Sequence, residues 1–230
     1  MKRFLLPGVL VLLFLLHFAA GWRIAETKPS CFYHNDGSEY AEMAESFAET
    51  GSMMIAKPRY YEPPRSEPMR EAFRPPLLSF FAGLLLRAGL TPSVSYALLQ
   101  ALLSTLASWM MFAVARRVEP SRVTAWIALI LYNIHPLVLE YSLQFCSETL
   151  FILCVLCFLR VFLEPEENRW KYPLLAAAGA LMTLTRPTGL AYLPGGMGVI
   201  LLYSAYLMWR RAGFRAVFRL RTCRNAAVYG

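Results

Sequence analysis

The run KRFLLPGVLVLLFLLHFAA, residues 2–20, decides the fold. Lys2 and Arg3 precede an uncharged apolar stretch from Phe4 to Ala20. A helix that is apolar on every side needs a nonpolar surrounding, which points to a bilayer. The basic flank and short length suit a signal anchor, and Ala19-Ala20-Gly21 would also suit cleavage of a signal peptide. The anchor is favoured because more apolar segments follow.

The whole chain fits that reading. Its 230 residues are 57% hydrophobic and 17% charged, the balance of a polytopic membrane protein rather than a soluble globule. Further apolar segments run from about Val94 to Val114, Val123 to Leu139, Thr149 to Phe162, Tyr172 to Leu184 and Leu190 to Trp209. The fifth segment of the chain, Tyr172 to Leu184, is short enough to be re-entrant. The expected fold is therefore all-α, with about six transmembrane helices. Pro136 is expected to kink the third segment. Residues 1–20 form the anchor, 21–93 a first outer loop, 94–209 the helix bundle and 210–230 a basic tail.

Charge placement orients the chain. The net charge of +8 is not a nucleic-acid signature, because the excess sits at the ends of apolar segments rather than on a compact basic surface with interleaved aromatics. With six crossings, Lys2-Arg3, Arg116-Arg117-Arg122, Arg169-Lys171 and Arg210-Arg211 all fall on one side, which is cytoplasmic. Arg215, Arg219, Arg221 and Arg224 extend that face toward anionic lipid. Both termini are expected to be cytoplasmic.

The outer side receives residues 21–75, the Tyr141–Ser147 turn and the Thr185–Thr188 turn. Nine of the fifteen acidic residues lie in 21–75, a bias that a plain helical bundle does not need. Within it, Tyr40, Met43, Ala44 and Phe47 recur at helical spacing, with Glu39, Glu42, Glu45 and Glu49 on other faces. Residues 38–50 thus read as an amphipathic helix. Leu77–Leu86 is apolar but too short to span, so it is expected to lie in the interface. Pro58 to Pro76 reads as an irregular loop.

Several polar residues on that side are candidates for chemistry, and each also has a structural reading. Asp36-Gly37-Ser38-Glu39 fits a capping box, and Asp36 also fits a general base at the membrane surface. Arg74 suits either a snorkelling side chain or a phosphate ligand. Arg186 stands between apolar segments on the side that should be poor in arginine, so it needs a partner, either Glu148 or a lipid phosphate. Glu140 and Glu148 flank the short turn between segments three and four, and Ser147 reads as the N-cap of segment four. His135 reads as a hydrogen-bonded core residue. Cys154 and Cys157 read as apolar packing, and a Cys31–Cys146 disulfide is left open. No Gly-rich phosphate loop, Ser-His-Asp set or metal-ligand spacing is present.

The order of these motifs resembles a known group. An anchor, Asp36 before Tyr40-Ala41-Glu42, then Glu49-Thr50-Gly51 and Arg74-Pro75-Pro76-Leu77 look like the start of a GT-C glycosyltransferase. The bacterial dolichyl-phosphate-mannose-protein mannosyltransferase-like and aminoarabinose transferase-like group is the most similar. Pro136, Ser147-Glu148-Thr149-Leu150-Phe151 and Thr185-Arg186-Pro187-Thr188-Gly189 continue the likeness over most of residues 1–210. It implies a sugar donor on a polyprenyl phosphate and transfer on the outer face of the bacterial inner membrane. It implies that Asp36 is the catalytic base and that Arg74 contacts the lipid phosphate. Arg186, Glu148 and Tyr40 join Arg74 as expected substrate-binding residues. Phe73, not a carboxylate, precedes Arg74, so the likeness supplies no second carboxylate there; no cofactor is assigned, and a divalent metal is left open. The group usually has more membrane helices and often a C-terminal outer domain. A truncated product, one half of a split enzyme or a degenerate relative would each fit. Expected partners are the lipid-linked sugar, membrane lipid and a second polypeptide supplying missing helices. The alternative is a non-catalytic membrane subunit of the same fold that binds lipid or a partner protein.

Overall fold

The computed structural model describes residues 5–34, 36–55, 69–70, 74–165 and 168–189, with Gly198 and Tyr206. The chain divides after Gly189, and the first unit is the one described. Apart from Gly198 and Tyr206, the last expected segment and the basic tail lie outside the described residues.

Helix α1 (Leu5–Thr27) is longer than the anchor expected over residues 1–20. It buries only His17, Gly21 and Ala25, a seam at four-residue spacing. That seam meets α5 (Pro92–Val118), where a Cβ on Gly21 would stand 3.7 Å from the Ala97 Cβ. Small residues let the two backbones approach, as membrane helices require. Leu12, Leu15 and Leu16 of α1 are each more than half exposed. In water each would forgo roughly 1 kcal/mol or more of burial, whereas lipid solvates them.

Helix α5 is the hub. Its buried face is rich in small residues, among them Ala97, Ala101, Ser104, Ala107 and Ser108, while Leu102, Leu106 and Trp109 face outward. Around it pack α1, α6 (Arg122–Ile134) and α8 (Ser147–Phe162); α9 (Lys171–Thr185) lies on α8. Between α6 and α7 (Pro136–Leu143) the chain bends by 63° at His135, so the kink expected from Pro136 is present. Proline removes a helical N–H and forces the residue before it out of the helical region. His135 (φ −65°, ψ 124°) is exposed at the bend rather than held in the core.

The all-α expectation holds, with one addition. Met54–Ile55 (β1) pairs antiparallel with Met69–Arg70 (β2), inside or beside the stretch read as irregular. Among the described residues two helices, α1 and α5, are long and apolar enough to cross a membrane, and the bent pair α6–α7 makes a third. Helices α8 and α9 have 16 and 15 residues, so six spans are not reached among the described residues.

Two ends of this unit are polar. At the basic end, Arg117 Nη2 is 2.9 Å from Glu164 Oε2, Arg160 also pairs with Glu164, and Lys171 Nζ donates to the Glu164 carbonyl at 2.8 Å. The Arg160 hydrogen bond, reinforced by the charges of Arg160, Arg117 and Lys171, outweighs burial and holds the Glu164 carboxyl below its usual range.

At the other end lie α2 (Pro29–Phe32), α3 (Gly37–Thr50) and α4 (Leu77–Arg87). The amphipathic helix α3 buries Tyr40, Met43 and Ala44 as its spacing implies, and Phe47 packs on Phe80 at 5.3 Å. Gly83 of α4 passes so near α3 that a Cβ would stand 2.9 Å from the Ala44 carbonyl oxygen. Gly51 ends α3 in the left-handed region (φ 79°), which glycine enters without steric cost. Beneath them Tyr96 stacks on Phe145 at 4.3 Å, both fully buried.

Candidate functional site

Helix α3 presents Asp36, Glu39 and Tyr40 on one face, because residues three and four apart are neighbours on a helix. Arg74, just ahead of α4, meets that face. Its Nε donates to Glu39 Oε2 at 2.6 Å and its Nη1 to Asp36 Oδ2 at 2.7 Å, while Nη2 is 2.7 Å from Asp36 Oδ1. The fork is thus bidentate on Asp36 and bridges to Glu39. Arg74 is only 18% exposed, whereas Asp36 is 39% exposed. Burial pulls the guanidinium down, but the Glu39 hydrogen bond and the Asp36 charge more than reverse it, so its pKa is raised.

This geometry corrects the capping-box reading. Asp36 sits at the N-cap position of α3 yet makes no side-chain cap hydrogen bond. Its backbone is already helical (φ −71°, ψ −14°), unlike the extended residue whose side chain folds back onto the helix N–H groups. A guanidinium also binds a carboxylate about twice as strongly as a neutral donor does. Both Asp36 oxygens are therefore on Arg74, and neither is on the backbone.

A second pair faces the same Tyr40. Arg186, just past the C-terminus of α9, pairs through Nη1 with Glu148 Oε1 in the first turn of α8. Each charge sits at the helix end whose dipole favours it. Of the two partners considered for Arg186, Glu148 is the one present in this structure. Burial lowers the Arg186 pKa, and the hydrogen bond and charge of Glu148 raise it by more. Ser147 is the first residue of α8 rather than its cap; the N-cap position is Cys146, with no side-chain cap bond. The chain leaves Cys146 too extended to be part of the helix (φ −144°, ψ 157°), and Ser147 turns to Tyr40 instead.

Tyr40 joins the halves. It is buried at 2% exposure, hydrogen-bonded to Ser147, and lies in the fields of Asp36, Arg74 and Arg186. Burial raises its hydroxyl pKa despite the opposing Ser147 hydrogen bond and arginine charges. The structure therefore gathers all five expected site residues, Asp36, Tyr40, Arg74, Glu148 and Arg186, at one end of the helices. Glu39 is the residue whose place in the cluster was not expected. Its position three residues after Asp36 was the available signal.

Three features hold the parts in register. The Phe145 N–H donates to the Phe32 carbonyl at 2.9 Å, tying the α7–α8 turn to α2. A Cβ on Gly37 would stand 2.5 Å from the Phe145 carbonyl oxygen, so α3 begins against that turn with room for hydrogen alone. From α5, the buried Gln100 Nε2 donates to the carbonyls of Tyr141 and Cys146, each at 3.1 Å, and contacts the Gln144 carbonyl as well. Its signal was a lone amide in an apolar span, which ordinarily has a dedicated partner.

Other candidates fall elsewhere. Glu140 is exposed and accepts from Gln144 Nε2 at 3.2 Å. Cys31 and Cys146 are both free thiols, and burial, then Glu148, pushes the Cys146 thiol up. Among the described residues no group of three His, Cys, Asp or Glu gathers as a metal site.

The family model described as dolichyl-phosphate-mannose-protein mannosyltransferase fits residues 73–219, more than half of the chain. No curated protein and no solved structure matches. Arg74, Glu148 and Arg186 fall inside the matched stretch, while Asp36, Glu39 and Tyr40 precede it. The apolar helices, the paired arginines at one end of them and this match agree, and the chain belongs to the dolichyl-phosphate-mannose-protein mannosyltransferase family of membrane glycosyltransferases, of the GT-C type.

Proposed function

We propose that this protein transfers a sugar from a polyprenyl-phosphate donor to an acceptor on the outer face of the bacterial inner membrane. The observation that carries the reading is the gathering of Arg74 and Arg186 around Tyr40, beside the half-open carboxylate of Asp36. Two cations at the end of apolar helices suit a lipid whose charge is a single phosphate at the membrane surface. In the reaction, an acceptor hydroxyl attacks the anomeric carbon and the new C–O bond forms there. The bond from that carbon to the phosphate oxygen breaks, and its electron pair stays on the departing polyprenyl phosphate. Asp36 takes the acceptor's proton. Arg74 and Arg186 stabilise the charge that develops on the phosphate, and preorganised cations are worth most at that moment. Tyr40 and Glu148 hold the arginines and the substrate in place.

Transfer from a defined polyprenyl-phosphate sugar by the purified protein, supplied with any partner polypeptide, tests this directly. Arg186→Lys keeps the charge but loses the planar fork. It is expected to raise the KM for the donor by about tenfold, with roughly 1.4 kcal/mol of binding lost. An unchanged KM would remove Arg186 from the donor site. A protein that folds, binds lipid and transfers nothing would instead be the non-catalytic subunit.

The face is tested separately. A single cysteine at Ser52, in the turn after α3, is expected to react with a membrane-impermeant maleimide added outside intact cells. A cysteine at Ala212 is expected to react only after the membrane is opened. Protection of position 52 from outside would reverse the assigned orientation.

A further inference from the structure

We propose that the Arg74–Asp36 pair is a latch which the donor phosphate opens, so that binding of the lipid donor unmasks the base. This inference rests on the function proposed above and adds the control of that site. The guanidinium that would receive the phosphate is occupied by Asp36 in a two-point fork and by Glu39 at Nε. Both Asp36 oxygens are engaged in the same fork, so an acceptor hydroxyl finds neither one unpaired. Base and phosphate ligand thus mask each other in the resting protein.

Charge makes the exchange reciprocal. Asp36 and Glu39 both sit on the Arg74 guanidinium, so a phosphate reaches its fork only when a carboxylate gives way. When the phosphate takes the Arg74 fork, Asp36 loses its cation and keeps its 39% exposure toward the acceptor. After transfer Asp36 bears the proton and is neutral, while Arg74 holds the departing phosphate. Loss of that proton to solvent restores the carboxylate, which competes for Arg74 again and helps expel the product lipid. The latch therefore orders the cycle: donor first, acceptor second, lipid phosphate last. Linkage requires that what the phosphate does to Asp36, Asp36 does equally to phosphate affinity.

That reciprocity supplies a test that needs no turnover. Undecaprenyl phosphate, the bare lipid without sugar, is titrated into the detergent-purified full chain and its Kd measured. Asp36→Asn removes the competing charge and is expected to tighten binding roughly 5- to 150-fold, the usual range for coupled sites. Glu39→Gln is expected to tighten it in the same direction, by less, since Glu39 meets Arg74 at Nε while Asp36 takes both terminal nitrogens. It also keeps the test open if Asp36→Asn fails to fold. Arg74→Lys is expected to weaken binding. Unchanged or weaker binding in both carboxylate variants, with Arg74→Lys still weaker than wild type, would overturn the latch while leaving the phosphate site intact. No binding by the wild type, or no effect of Arg74→Lys, would overturn the function on which the latch depends.

Discussion

Asp36→Asn is expected to insert and fold like the wild type and to lose roughly two to four orders of magnitude in turnover, the span that general base catalysis supplies. The substitution keeps the size of the side chain and can still accept a hydrogen bond from Arg74. It removes only the negative charge, and with it the ability to take a proton. Because Asp36 makes no cap bond to α3, the variant does not unwind the helix start. A loss of activity therefore reports chemistry rather than folding. The measurement is single-turnover transfer from a saturating polyprenyl-phosphate sugar, with circular dichroism and gel filtration of the same sample. Full turnover in this variant would leave Asp36 as a partner of Arg74 and no more. If donor affinity rises while turnover falls, both the base and the latch stand.

Gly37→Ala is expected to damage the site without touching any charged group. The added methyl would lie 2.5 Å from the Phe145 carbonyl oxygen, closer than real Cβ atoms approach, and the obstacle is backbone rather than a side chain that can turn away. Either α3 lifts from the α7–α8 turn or the turn gives up its 2.9 Å bond to the Phe32 carbonyl. Overpacking of this kind costs about 1–3 kcal/mol. It would also shift Asp36, the residue before it, relative to Glu148 and Arg186. The thermal unfolding temperature in detergent should fall by several degrees, and turnover should drop with the donor KM rising. Wild-type stability and activity in Gly37→Ala would show that α3 does not seat against that turn as closely as described.

The membrane class, the main helices and the identity of the polar candidates were legible in the sequence, for physical reasons that act locally. An uncharged run such as Phe4–Ala20 needs lipid whatever surrounds it, and His135-Pro136 bends a helix through its own missing N–H and restricted backbone. The stripe of Tyr40, Met43, Ala44 and Phe47 follows from helical spacing alone. Arg186 announced a partner because a charge between apolar segments cannot stay unpaired cheaply.

Which partner each charge takes was decided by tertiary structure. The sequence offered Asp36 a cap nearby and Arg74 a free life at the headgroups, since both readings need only neighbours in the chain. Folding brought the two together across 38 positions of sequence and added Glu39, because a guanidinium fork satisfies two carboxylates better than scattered backbone donors do. The same is true of Gln100, whose three carbonyl contacts come from a turn more than forty residues away. Gly37 is required by the nearness of the Phe145 backbone, a distance that no local pattern encodes. Composition and periodicity determine what each segment must be solvated by; only the packing of α3, α4, α8 and α9 determines which charges neutralise one another.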